Sequence, residues 1–131
     1  MREGTDLLIM AMGSIAGEAT AASEALAREG VGCTVVTVAS LNPPPVQDLV
    51  GLLKDFPVVL TVEAHYVVGG LGSLVSEVIA EHGLRTRLKR CGVRETPDGR
   101  SGSQSFLYRR HRLARENLAE EALEMLRSVR N

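Results

Sequence analysis

The chain has 131 residues, a net charge of −1 and only 3 % aromatic side chains. That length suits one domain, which buries roughly two-thirds of the surface its unfolded chain exposes and so needs no disulfide or metal staple. The near-neutral balance gives no reason to expect a nucleic-acid surface. No apolar run approaches the roughly 18 residues of a membrane span. The first residues lack a secretory pattern, so a cytoplasmic location is expected.

Asp6 to Met12 is a short apolar run stopped by Gly13 and Ser14, and reads as a buried strand. Ser14 to Glu29 follows with helical spacing. Ile15, Ala19, Ala22 and Leu26 form its inward face, and Gly30 stops it. Cys33 to Ala39 is a second, β-branched strand. A breaker cluster from Ser40 to Pro45 comes next, and Pro45 has the fixed φ that opens a helix. That helix runs to about Lys54, with Val46, Leu49, Val50 and Leu53 on one face. Val58 to Val62 is the third strand, and residues 63–70 are a polar, Gly-ended loop. Leu71 to Glu81 is the third helix, its apolar face made of Leu71, Leu74, Val75, Val78 and Ile79. Thr86 to Val93 is a fourth strand whose charges suit a sheet edge. A loop over 95–105 precedes a short helix over Gln104 to Arg110. Leu118, Ala122, Met125, Leu126 and Val129 mark a final amphipathic helix.

Strands alternating with helices predict right-handed crossovers and an α/β fold. The expectation is a three-layer αβα sandwich on a mainly parallel or mixed sheet of four to five strands, with residues 1–131 as one domain. Cys33 and Cys91 fall in or beside strands, as buried thiols without a disulfide do in a reducing compartment. The three histidines are far apart and no cysteine flanks them, so no zinc or iron constellation is expected.

Two strand-to-helix turns could hold an anion or form a subunit contact. One contains Gly13 and Ser14, the other Gly69, Gly70, Gly72 and Ser73. Each puts small residues where free backbone N–H groups and the positive end of a helix dipole converge. The bland alternative is a tight turn capped by its serine. Neither fits the dinucleotide or lysine-containing phosphate motifs. Glu63 and His65 lie two apart at a strand end and in extended geometry share a face, as proton chemistry or a hydrogen-bonded loop would use. The basic run Arg109-Arg110-His111-Arg112, with Arg115 nearby, suits a solvated helix face, an acidic partner or a phosphosugar.

The run from Val58 to Gly83 resembles the signature of the transketolase C-terminal domain family. It has an aliphatic strand, Val62-Glu63 and His65, then Gly69-Gly70, Gly72-Ser73 and Glu77-Val78. The strand over 6–13, the turn at Gly30-Val31, the strand over 88–93 and Ser101-Gly102-Ser103 agree with it, so the resemblance covers nearly the whole chain. It implies membership of a thiamine-diphosphate-dependent enzyme that moves two-carbon ketol units between phosphosugars. It also implies that thiamine diphosphate and magnesium sit on other domains, since no Gly-Asp-Gly occurs here. The chain's implied work is assembly and dimer contact, inactive alone. Its partners would carry the pyrophosphate and pyrimidine domains, in a homo- or hetero-oligomer. The alternatives are an anion-binding assembly or regulatory module, or the equivalent domain of a deoxyxylulose-phosphate synthase or 2-oxoacid dehydrogenase beta subunit. Three departures stand out: Ala64 replaces a second glutamate, Pro44-Pro45 replaces the usual helix start, and Arg112-Leu113-Ala114 replaces Gly-Leu-Thr. The last implies that the usual left-handed residue and cap are missing.

Overall fold

The structure, a computed structural model, describes residues 4–39, 45–66, 69–94 and 103–130, apart from the side chains at positions 65, 66, 105 and 130. The breakers ahead of Pro45, and Ser101 and Gly102, lie outside the described residues.

In chain order the elements are β1 (Leu7–Met12), a single 3-10 turn (Gly13–Ile15), α1 (Ala16–Arg28), β2 (Cys33–Thr37) and α2 (Val46–Leu53). Then come β3 (Val58–Tyr66), α3 (Leu71–Glu81), β4 (Arg87–Val93), α4 (Gln104–Arg110) and α5 (Arg115–Arg130). The four strands form one parallel sheet in the order β2-β1-β3-β4. The inner strands explain the unbroken apolar runs, because both of their faces are covered. Leu7, Ile9 and Ala11 of β1, with Val58, Leu60 and Val62 of β3, pack under α1 and α5. Leu8, Met10 and Val59 pack on the other face under Leu49 and Leu53 of α2 and Leu71, Val75 and Val78 of α3. Each fully buried Leu, Ile, Val or Met side chain among them contributes about 1.5–3 kcal/mol relative to an exposed one.

The predicted inward face is confirmed: Ala19, Ala22 and Leu26 of α1, and Ile15 in the 3-10 turn before it, are all fully buried. The charged strand β4 does lie at an edge.

Three expectations need correction. β3 does not stop at Val62 but runs on to Tyr66, because its ladder continues on both sides: Met12 pairs with Glu63, and Val93 pairs with Tyr66 after a register shift. Val129 is 38 % exposed, in the last turn of α5 beyond the buried row Leu118, Ala122 and Leu126. The left-handed residue between α4 and α5 is present, and it is Arg112, with φ 58°. Arg112 N–H donates to the Arg109 carbonyl and Leu113 N–H to the Tyr108 carbonyl, closing α4, while the buried Leu113 side chain anchors the turn.

Strand order sets where the chain changes sides. The connection β1-α1-β2 lies on one face of the sheet, while β2-α2-β3 crosses back over β1 on the other. The C-terminal ends of β1 and β3 are therefore neighbours whose following helices leave to opposite faces. Open α/β sheets bind their ligands at such a switch point.

Candidate functional site at the switch point between β1 and β3

Both Gly-rich turns stand at this point. Met12, the last residue of β1, is in register with Glu63 on β3. Gly13 takes φ +85° and starts the 3-10 turn that leads into α1. The exposed Ser14 hydroxyl lies 3.1 Å from the Tyr108 hydroxyl of α4, so this serine ties the turn to α4.

The turn after β3 is built around a carboxylate. Glu63 is completely buried. Its Oε1 accepts the Leu71 N–H at 2.9 Å and its Oε2 accepts the Gly72 N–H at 2.9 Å. These are the first two residues of α3, whose amides have no partner inside the helix. Gly70, at the N-cap position, has no side chain to supply one. Glu63 therefore caps α3 from eight residues upstream, its charge compensated by two charge-assisted bonds and by the helix dipole.

Each residue of the Gly-Gly-Leu-Gly-Ser turn has its own reason. Gly69 adopts φ +82°, a left-handed conformation that side chains resist. A Cβ on Gly70 would stand 1.9 Å from Glu63 Oε1, so only glycine admits the carboxylate. A Cβ on Gly72 would meet Arg90 Cγ at 2.8 Å and Thr61 Oγ1 at 3.0 Å, so this glycine lets α3 lie against β3 and β4. Ser73 Oγ accepts the Gly69 N–H at 2.9 Å, closing the turn on itself. The Thr61 hydroxyl beneath it is buried without a partner among the described residues.

The backbone of His65 lies in β3, two residues beyond Glu63; its side chain is outside the described residues. Sequence reasoning placed Glu63 at a strand end and named the two turns separately, and it missed that the acid and the glycines of the second turn form one unit. The signal was present: a strand-end acid followed by a helix start without a capping side chain.

Among the described residues, no group of three His, Cys, Asp or Glu could hold a metal. The two α3 amides that could meet a diphosphate hold Glu63 instead. Burial pushes the Cys91 thiol up to about 12, with the Glu121 carboxylate adding to the rise, so it stays protonated and unreactive near neutral pH. Cys33 is buried as well, and neither cysteine forms a disulfide. No helix among the described residues is long and apolar enough to cross a membrane.

Fold and site define a doubly wound parallel α/β domain whose switch point holds its own carboxylate. The sequence profile described as "Transketolase, C-terminal domain" matches residues 1–118, and the chain belongs to that family. It is similar to a subunit of the apulose-4-phosphate transketolase of Actinobacillus succinogenes, with 36 % identity over 125 residues, 95 % of this chain and 40 % of that one. It is also similar to a 1-deoxy-D-xylulose-5-phosphate synthase of Syntrophotalea carbinolica, with 39 % identity over 121 residues, 91 % of this chain and 19 % of that one. Among solved structures it resembles a split gene transketolase described as an inactive beta4 tetramer. That match has a TM-score of 0.86 at 30 % identity and covers 95 % of this chain and 40 % of the other. The chain thus spans two-fifths or less of the length of these relatives.

Proposed function

We propose that the chain serves as the C-terminal part of a transketolase, in an assembly that moves a two-carbon ketol unit between phosphosugars. In this reading its residues 1–131 are one domain that supports subunit contact. Thiamine diphosphate and magnesium are held by partner chains that carry the pyrophosphate and pyrimidine domains. The observation that carries the reading is the Glu63 clamp. The place where an open α/β sheet receives a phosphate is closed by a buried side chain of the protein itself. A domain so closed suits packing against a neighbour better than turnover. The split gene relative, described as an inactive tetramer of one chain type, supports the same division of labour.

The test mixes the purified chain with candidate partner chains and measures ketol transfer with thiamine diphosphate and magnesium. Activity is expected only in the mixture, and calorimetry on this chain alone is expected to give no heat with the cofactor. Micromolar cofactor binding by the chain alone would overturn the reading, as would activity of the partners that is indifferent to its presence.

A further inference from the structure

We draw no further inference here: the strongest candidate, the apolar groove between the edge strand β2 and α2, lined by Met10, Val36, Val38, Leu49 and Leu52, carries none because nothing among the described residues shows what covers it.

Discussion

Helices α3 and α5 begin with the same deficiency and remedy it at different depths. Neither has a capping side chain at its entry: Gly70 precedes one and Ala114 the other. Each receives a glutamate from another element. Glu63 reaches the first two amides of α3 while fully buried. Glu18 of α1 reaches the first amide of α5 at 3.1 Å and the Arg115 Nε at 2.9 Å, at a surface where the Arg115 side chain is 54 % exposed. That partner raises the Arg115 guanidinium above its usual value, through the hydrogen bond first and the charge second. Water can replace the exposed cap at little cost. It cannot reach the buried one, so the same two kinds of contact should differ greatly in what their loss does.

The largest effect expected is from Glu63→Ala. It leaves two buried amides unpaired and a cavity beside them, a loss of about 3–5 kcal/mol by denaturant unfolding. Formate should recover part of the loss in the variant and do nothing comparable to the native chain. A variant as stable as the parent would break the contrast between the two caps. If the alanine form does not fold, Glu63→Gln keeps the shape and removes the charge, with a smaller loss in the same assay.

Gly70→Ala comes next, at about 2–3 kcal/mol, because the new methyl group and the Glu63 carboxylate cannot occupy the same space. The double variant with Glu63→Ala should then cost less than the sum of the two, since the clash disappears with the acid. An additive result would place the defect elsewhere.

Arg112→Gly has the opposite sign. Relief of the left-handed arginine outweighs its exposed ion pairs, so thermal unfolding should show a gain of about 0.5–1 kcal/mol. A loss would mean that Glu120 and Glu121 hold the turn more firmly than exposed pairs do. Glu18→Ala is expected to change stability least, several-fold less than Glu63→Ala, with a difference that shrinks further in high salt. A salt-independent loss rivalling that of Glu63→Ala would erase the distinction by depth.

Much of the fold was legible in the chain, for reasons these residues display. Leu7 to Met12 is apolar throughout because both faces of β1 are covered, and Ile15, Ala19, Ala22 and Leu26 carry the helical period of the one-sided turn and helix that follow. The spacing of Leu71, Val75 and Val78 likewise fixed the face of α3. What was not legible depends on contacts between distant groups. β3 extends past Val62 because β1 and β4 offer ladder partners there, which no local pattern announces. Arg112 takes a glycine's conformation because backbone bonds and the burial of Leu113 hold the turn, whereas propensity alone argues against it. Glu63 read as a polar loop residue because its partners are main-chain N–H groups, which every residue but proline carries, so the uncapped helix start at Gly70 was the one mark they left in the sequence.

The Glu63 clamp has a consequence on a slower clock. First-turn amides of most helices exchange their hydrogens with solvent quickly, since nothing inside the helix holds them. Those of Leu71 and Gly72 lie under a buried carboxylate at the centre of the sheet edge. Their hydrogens should be released only when β3 and α3 separate, so the start of α3 exchanges with the last-opening part of the molecule instead of fraying ahead of it.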